Sequence, residues 1–445
     1  VETGCLSLPS VKVTMPLTTD SIKSRFIIAA PTSDAGKTSV SLGLQRAFYN
    51  RGKSVQAFKC GPDYIDSKFH ELASHGKSFN LDSVMMSEDH VREVYSTQSL
   101  AAQVSVVEGV MGLFDGARKS EGSTAELSKK LQIPVILVVD ARAVAYSVAP
   151  LLHGFKTFDP EVNIAGVIFN KVGSPSHFQF LREACEDVDV HCFGYLKKLK
   201  EAEIPSRHLG LSIANMQQYD SVMEVLAKGI EETVDLDALL SATACIHESS
   251  DNTTATIPKE IHQSLKIAVA KDEAFNFIYA QVVEQFQRRG VVTFFSPLKD
   301  ASVPDCDLLY LPGGYPECYL RQLAANTDMK SSITSYIENN GKVLAECGGF
   351  MYLGKSIEDV DGKEYPMVGA LEVSTSMKHR KLHLGYRKIK VEGETLIGHE
   401  FHYSSLVSSQ VSTIGEITNA RDEDVPTHFV KERGILASYL HFYFG

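Results

Sequence analysis

The sequence lacks several features that would place it in a specialised class of protein. Its eight cysteines are scattered, with no C-x-x-C pair and no zinc spacing, so we expect a reduced, cytoplasmic compartment. The net charge is −11, which argues against a nucleic-acid partner. The apolar run at 133–139 is interrupted by Asp140 and Arg142, far short of the roughly twenty apolar residues of a membrane span. We therefore expect no membrane partner either.

Two stretches of the chain alternate between short apolar runs and helical patterns. The runs lie at 26–30, 54–58, 104–108, 135–140, 164–170 and 191–196, and then at 265–270, 291–295, 308–311 and 343–346. This alternation predicts two α/β domains, over 25–244 and 264–445, each a doubly wound and mostly parallel sheet. Residues 245–263 are polar and rich in Ser and Thr, which indicates a linker. Residues 1–24 show no clear period and are expected to form an N-terminal tail.

A candidate phosphate loop, A-P-T-S-D-A-G-K-T at 30–38, stands between an apolar run and a helical pattern. Backbone N–H groups and the helix N-terminus would face the phosphates of a nucleotide. Lys37 can reach the terminal phosphates and Thr38 can bind Mg²⁺, with Gly36 and Ser39 completing the predicted nucleotide site. A proline stands where the first glycine of the usual pattern belongs. The alternative is a turn with a chance Gly-Lys-Thr.

Acidic side chains follow the next predicted strands, at the edge where open α/β sheets bind ligands. They are Asp63 and Asp66 after the second strand and Glu108 and Asp115 after the third. Thr38, Asp66 and Glu108 can supply the hard oxygen ligands that Mg²⁺ prefers. Helix capping or turn formation is the alternative for each acidic residue alone. Asn170 ends the fifth strand and could read adenine, or could simply form a turn.

A second candidate site centres on V-L-A-E-C-G-G-F-M-Y at 343–352, which predicts a strand, a sharp turn and a helix. This geometry exposes Cys347 above a helix N-terminus, where the dipole favours the reactive thiolate. The N–H of Gly348 can point at an oxyanion, and a second donor can come from the loop around Gly314. The alternative is that Cys347 is a buried small hydrophobe.

A cysteine nucleophile needs a base, and three histidines are candidates. They are His441, near the end of the chain, and His399 and His402 in G-H-E-F-H-Y. Taken singly, each is as well explained as a structural histidine. Spacing along the chain does not choose between them, because the partner must be adjacent only in space.

These motifs together resemble those of the cobyrinic acid a,c-diamide synthases, including the enzymes for hydrogenobyrinic acid. The resemblance runs from about residue 25 to the end of the chain. Its further motifs are K-x-G-P-D-Y-I-D at 59–66, N-L-D at 80–82, V-E-G-V-M-G-L-F-D-G at 107–116, G-S-T-A-E-L at 122–127, L-P-G-G-Y-P-E at 311–317, A-E-C-G-G-F-M-Y-L at 345–353, L-G-Y-R at 384–387 and G-H-E-F-H-Y-S at 398–404. It implies a P-loop domain like dethiobiotin synthetase, followed by a class I glutamine amidotransferase-like domain.

The resemblance also implies roles for individual residues. Lys37 and Thr38 hold ATP and Mg²⁺, Cys347 is the glutaminase nucleophile, and His441 activates it. The site that activates the substrate carboxylate is lined by Asp63, Tyr64, Asp66, Glu108 and Asp115.

Two positions depart from the family pattern. Asp34 replaces the first glycine of the usual S-G-x-G-K-T loop, where an acidic side chain would oppose phosphate binding unless it points away. His441 is followed by Phe442-Tyr443 rather than by x-Glu, so no carboxylate orients it from the position that class I glutaminases use.

The expected function is a carbon–nitrogen ligase of cobalamin biosynthesis. ATP would convert the a and c side-chain carboxylates of cobyrinic or hydrogenobyrinic acid into acyl phosphates. Ammonia released from L-glutamine at Cys347 would attack them after crossing a buried path between the domains. The expected partner is thus a corrinoid or related tetrapyrrole polycarboxylate, and homodimerisation is left open. The alternatives are a nickel-sirohydrochlorin a,c-diamide synthase and a partitioning-type P-loop ATPase.

Overall fold

The computed structural model describes residues 22–202, 216, 218–246 and 265–444. Residues 1–21 of the predicted tail and 247–263 of the predicted linker lie outside these residues. The remaining residues of both segments, 22–24 and 245–246, instead form a pair of antiparallel strands. None of the helices in the described ranges combines the length and the apolar character that crossing a bilayer requires.

The first domain is built on one sheet of eight strands. The strands are β1 (Ile22–Ala29), β2 (Val55–Cys60), β3 (Ser78–Leu81), β4 (Val104–Glu108), β5 (Val135–Asp140), β6 (Ile164–Val172), β7 (Cys192–Lys197) and β8 (Ala244–Ile246). The spatial order is β3-β2-β4-β1-β5-β6-β7, and all of these pairs are parallel. Only β8 runs antiparallel, beside the start of β1. The mostly parallel sheet expected from the apolar runs is confirmed.

Helices cover both faces of this sheet. They are α1 (Lys37–Asn50), α2 (Asp66–Ser74), α3 (Glu88–Ser99), α4 (Thr124–Leu131), α5 (Val148–Phe158), α6 (Pro175–Asp187), α7 (Asp220–Thr233) and α8 (Leu236–Ala242). Three of them begin at a serine whose hydroxyl accepts a backbone N–H of the first turn, namely Ser87, Ser123 and Ser174. Every residue of β4 is buried, as expected of a central strand that is covered on both faces.

The second domain contains a six-stranded sheet and two smaller ones. Its strands are β9 (Leu265–Ala270), β10 (Gly290–Phe295), β11 (Leu308–Leu311), β12 (Lys342–Glu346), β13 (Ser356–Glu358), β14 (Glu364–Pro366), β15 (Val373–Ser376), β16 (His383–Val391), β17 (Glu394–His402), β18 (Ser405–Ser409), β19 (Glu416–Asn419), β20 (Phe429–Glu432), β21 (Ile435–Ser438) and β22 (Leu440–Phe442). Its helices are α9 (Ala280–Arg289), α10 (Leu320–Ala325), α11 (Thr327–Glu338) and α12 (Gly348–Leu353).

The six-stranded sheet has the order β10-β9-β11-β12-β21-β20, and only the last pair is antiparallel. The two four-stranded sheets have the orders β14-β13-β15-β18 and β19-β16-β17-β22. The sequence did not predict these two sheets, because strands such as β16 mix charged side chains with apolar ones and so form no continuous apolar run.

The two domains pack against each other through aromatic and polar side chains. Gln281 donates to the carbonyl of Asn80 at 2.6 Å, and the Tyr386 hydroxyl donates to Asp82 at 3.1 Å. Tyr64 is buried in this interface, stacked on Tyr279 with ring centroids 4.2 Å apart. The interface therefore lies at the carboxyl end of β2, where the predicted carboxylate-activating loop begins.

Candidate functional site

The phosphate loop connects β1 to α1, with its backbone in an unusual conformation. Gly36 has a φ of +92°, and a Cβ at this position would lie 1.9 Å from the amide nitrogen of Asn170. Only glycine fits both requirements. Asp34 adopts a left-handed backbone conformation, with a φ of +60°, which aspartate tolerates better than most residues. Its side chain is exposed to solvent. Lys37 donates its ammonium to the carbonyl of Met111.

A buried ionic network lies beneath the start of α1. The Lys59 ammonium donates to Asp66 at 2.6 Å and to Glu108 at 2.9 Å. The other oxygen of Glu108 accepts from His70 at 2.7 Å, and Thr38 donates to Glu108 at 2.7 Å. The structure thus brings together the three predicted ligands, with Asp66 and Glu108 bound to Lys59 and Thr38 bound to Glu108.

The charges in this network are set by their neighbours. Burial alone would raise the pKa of Glu108, but Lys59 and His70 outweigh burial and hold that pKa well below its usual range. Glu108 is therefore a carboxylate at neutral pH. One hydroxyl and two carboxylates form a set of hard oxygen donors, which is the chemistry that Mg²⁺ requires.

The other residues predicted for this site take different positions. Asp63 accepts the backbone N–H groups of Ile65 and Asp66, each at 2.9 Å, and so forms a turn in the loop that leads into α2. Asp115 is exposed and accepts the N–H of Gly112 in a turn, outside the buried network. Their catalytic roles stay predictions.

Asn170 is buried against the phosphate loop. Its amide donates to the carbonyl of Ala35 at 2.9 Å, and its oxygen accepts the N–H of Lys171. In this position it holds the loop, and its proposed contact with adenine stays a prediction. Ser39 is half-buried in the first turn of α1.

The second site is a sharp elbow between β12 and α12. Cys347 has a φ of +45° and a ψ of −103°, a strained conformation that a nucleophile elbow uses to present its side chain. Its N–H donates to the carbonyl of Ser438 at 2.8 Å, which fixes the turn. The expectation that the elbow exposes Cys347 is wrong, because the residue is only 3% exposed, but its thiol still lines a pocket together with Gly314, Glu317, Met351 and other side chains.

Glycines bring the backbone of the loop at 311–317 close to this elbow. A Cβ on Gly349 would lie 2.1 Å from the carbonyl of Leu311, and one on Gly348 would lie 3.1 Å from the nitrogen of Gly314. The two predicted oxyanion donors therefore meet beside Cys347. Burial raises the pKa of the Cys347 thiol, Glu317 adds to this, and the N–H of Gly348 opposes it. The resting thiol is neutral and needs a base.

The three candidate histidines lie close together, but their rings make different hydrogen bonds. Both ring nitrogens of His402 face hydrogen-bond acceptors, with Nε2 at 2.9 Å from the carboxylate of Glu400 and Nδ1 at 2.9 Å from the carbonyl of Ser404. His399 pairs with His441 across β17 and β22. Both ring nitrogens of His441 are buried without a hydrogen-bond partner among the described residues. His441 thus keeps a nitrogen for a proton from elsewhere, whereas both nitrogens of His402 are engaged.

His441 lies against the loop that packs on the elbow. A Cβ on Gly313 would lie 2.2 Å from its Cε1 atom. Burial lowers the pKa of His441 to about 3, and the charges of His399 and His402 act in the same direction. The resting imidazole is therefore neutral, which is the form that can accept a proton.

One further cluster offers groups that can bind metals. His383, Glu400 and His402 bring ligand atoms within 4.8 Å of one another. Arg387 donates to Glu400 at 2.7 Å, and Thr427 donates to both of its oxygens at 3.1 Å. The carboxylate is already saturated by these donors, so we assign no metal there.

Sequence reasoning missed Lys59 and His70. Lys59 ends an apolar strand at the ligand edge, a signal that could have identified it. Nothing in the sequence places His70 beside Glu108, because they meet only through the packing of α2 on the sheet.

Comparisons with known proteins agree with this two-site arrangement. The family of CobQ/CobB/MinD/ParA nucleotide binding domains matches residues 26–211, and that of CobB/CobQ-like glutamine amidotransferase domains matches residues 266–445. A hydrogenobyrinate a,c-diamide synthase of Brucella anthropi is 40% identical over 94% of this chain and 97% of its own length. A cobyrinate a,c-diamide synthase of Listeria innocua is 38% identical over 95% of this chain and 96% of its own. The chain therefore belongs to the family of hydrogenobyrinate and cobyrinate a,c-diamide synthases.

Proposed function

We propose that this protein amidates the a and c side-chain carboxylates of cobyrinic or hydrogenobyrinic acid, with ATP and glutamine as co-substrates. The observation that carries the proposal is the contact between the two sites. The ring of Tyr64, in the loop of the ionic network, packs against the ring of His441 beside the cysteine elbow, with centroids 5.0 Å apart. A ligase that generates ammonia at one site and uses it at the other needs this proximity.

At the first site, the ATP phosphates would lie on the N–H groups of the loop and the start of α1. Lys37 would exchange its bond to a backbone carbonyl for the terminal phosphate, and Lys59 would stabilise the negative charge that develops during transfer. Thr38, Asp66 and Glu108 would hold Mg²⁺, which neutralises charge on the phosphates when it is bound. The product would be an acyl phosphate of the macrocycle.

At the second site, His441 would take the proton of the Cys347 thiol, and the sulfur would attack the amide carbon of glutamine. The N–H groups of Gly314 and Gly348 would stabilise the oxyanion. The imidazolium would return the proton to the leaving nitrogen, so that ammonia departs and water hydrolyses the glutamyl thioester. Ammonia would then pass the aromatic interface around Tyr64 to reach the acyl phosphate. The substrate is bulky and polyanionic, and we leave its contacts beyond Tyr64 unassigned.

We also infer a reaction in the cytoplasm, because the seven cysteines within the described ranges are free thiols and Cys347 must stay reduced. Homodimerisation stays a prediction.

Product analysis by mass spectrometry tests the proposal. Cobyrinic acid, hydrogenobyrinic acid and nickel-sirohydrochlorin are each incubated with ATP, Mg²⁺ and glutamine. The proposal expects a diamide from one of the first two acids. A diamide from nickel-sirohydrochlorin alone would instead favour the nickel-cofactor enzyme. ATP hydrolysis with no amide from any substrate would favour a partitioning-type ATPase.

A further inference from the structure

The cysteine site contains a buried carboxylate to which the mechanism above gives no role. Glu346 immediately precedes Cys347 at the end of β12, and its exposed fraction is 0%. Its Oε2 atom lies 3.9 Å from Nδ1 of His441, which is 1% exposed. Phe442 and Tyr443 follow His441 in the chain. A tyrosine therefore stands where the usual His-x-Glu pair has its glutamate.

We propose that Glu346 is the positioning residue for His441 and takes over the role of that missing carboxylate. The inference rests on the proposed roles of Cys347 as nucleophile and His441 as base. The orienting carboxylate then lies on β12, the strand that leads to Cys347, instead of on β22, the strand that carries His441.

Glu346 is fixed by groups on two neighbouring strands. The hydroxyl of Tyr310, on β11, donates to Oε2 at 2.8 Å. The N–H of Phe442, on β22, donates to Oε1 at 3.1 Å. Since Phe442 follows His441 directly, one hydrogen bond ties the carboxylate to the backbone that carries the imidazole. A group held on rigid strands in this way is suited to orient a catalytic side chain.

The separation of 3.9 Å is about 1 Å longer than a hydrogen bond. Catalytic hydrogen bonds are often long before substrate binds and shorten in the complex. Neither ring nitrogen of His441 has a hydrogen-bond partner within the described ranges. A small rotation of the imidazole would therefore give its Nδ1–H an acceptor without breaking another bond.

In this arrangement, Glu346 determines which ring nitrogen of His441 carries the proton. An acceptor at Nδ1 keeps the proton of the neutral ring there, so Nε2 has the lone pair that removes the thiol proton. After that transfer, the imidazolium carries protons on both nitrogens, and a negative Glu346 stabilises it. When Nε2 gives its proton to the leaving nitrogen, the ring returns to the starting tautomer.

The other carboxylates of the region are engaged differently. Glu400 accepts from Arg387, Thr427 and His402, and Glu317 lines the pocket of Cys347. Burial raises the pKa of Glu346 to about 8, against the hydrogen bonds from Tyr310 and Phe442. The ionised carboxylate that stabilises the imidazolium is therefore populated as the pH rises towards about 8, and a positive charge on His441 favours it further.

Kinetics of the full-length protein test the role. Glutamate release is measured with glutamine, ATP, Mg²⁺ and the macrocyclic acid, for Glu346→Gln, for Cys347→Ala and for Glu372→Gln. Glu372 is an exposed partner of Lys355 and serves as a matched control. We expect Glu346→Gln to lower kcat for glutamine about 100-fold, with KM within about twofold. Amidation with added ammonia should stay at the wild-type rate, and Glu372→Gln should change neither activity.

The outcomes separate this inference from the proposed function. An unchanged kcat in Glu346→Gln, or a rise in KM alone, overturns the positioning role. An equal loss of ammonia-dependent amidation points to a structural role and overturns it as well. If Cys347→Ala still hydrolyses glutamine, the proposed function itself has failed.

A spectroscopic readout covers the case in which Glu346→Gln does not fold. Tyr310→Phe removes one of the hydrogen bonds that hold the carboxylate and leaves the charge in place. In ¹⁵N-histidine NMR spectra we expect His441 of the wild type to carry its proton on Nδ1, and Tyr310→Phe to shift the population toward Nε2–H. A wild-type ring that is already protonated on Nε2 would contradict the inference.

Discussion

The ring of Tyr64 lies 5.0 Å from the ring of His441, so a loop of the nucleotide-binding domain contacts the candidate base of the amidotransferase domain. Tyr64 also stacks on Tyr279 at 4.2 Å and on Phe277 at 5.3 Å. A change at one site, such as binding of the substrate carboxylate at the loop that follows β2, thus has a direct packing route to the other.

Removing the Tyr64 ring should uncouple the two activities. We expect Tyr64→Ala to lower the free energy of unfolding by about 3 kcal/mol, because a buried aromatic ring is lost. More glutamate than amide should then be released, since the path between the sites is no longer sealed. Tyr64→Phe keeps the stacked ring and should keep both stability and the wild-type ratio. A wild-type ratio in Tyr64→Ala would show that the contact does not couple the sites.

A side chain at Gly36 should abolish the phosphate loop. Gly36→Ala meets both a φ of +92° and the amide nitrogen of Asn170 at 1.9 Å. Gly52→Ala is a matched control, because Gly52 has a φ of +74° but nothing within 4 Å of its Cβ position. We expect Gly52→Ala to lose about 1 kcal/mol of stability from backbone strain, and Gly36→Ala to lose more because its Cβ also meets Asn170; only Gly36→Ala should lose ATP affinity, by more than tenfold. Calorimetric titration with ATP measures this, and equal affinities would refute the close-packing argument.

Loss of the buried lysine should destabilise the first domain strongly. Lys59→Met leaves Asp66 and Glu108 as buried carboxylates that face each other, and we expect a loss of about 3–5 kcal/mol in urea unfolding. Lys77→Met breaks an exposed pair with Glu284 and should cost less than about 1 kcal/mol. If the two variants were equally stable, the network would not contribute as described.

Acidification should destabilise the protein through its buried histidines. Burial lowers the pKa of His399 to about 4, helped by the charge of Arg387, and that of His441 to about 3. An unfolded histidine titrates near about pH 6.5, so below that value the unfolded chain binds protons that the folded chain does not. Stability should therefore fall as the pH is lowered from about 6.5 to about 4. His399→Gln should reduce this slope by about 1.4 kcal/mol per pH unit, and an unchanged slope would contradict the assignment.

The sequence predicted what depends on apolar runs and on short motifs. Cys347 and its glycines are local in the chain, and so is the loop that begins α1. The short strand β3 was missed, because it has only four residues and carries Asn80, whose polar side chain bonds to the carbonyls of Gly61 and Asp63.

Contacts between residues that are far apart in the chain could not be predicted from the sequence. Glu346 and His441 are 95 residues apart and meet only because β21 pairs with β12, with Ser438 opposite Glu346, and leads directly into β22. The contact between Tyr64 and His441 depends on how two domains pack, which no local pattern encodes.

The central claim is that Cys347 supplies ammonia to a separate amidation site. The most direct test is the diamide yield of Cys347→Ala with glutamine and, in parallel, with ammonium chloride, measured by mass spectrometry under otherwise equal conditions. We predict no diamide with glutamine and the wild-type yield with ammonia. Diamide formed from glutamine by this variant, or none formed from ammonia by the folded variant, would contradict the account.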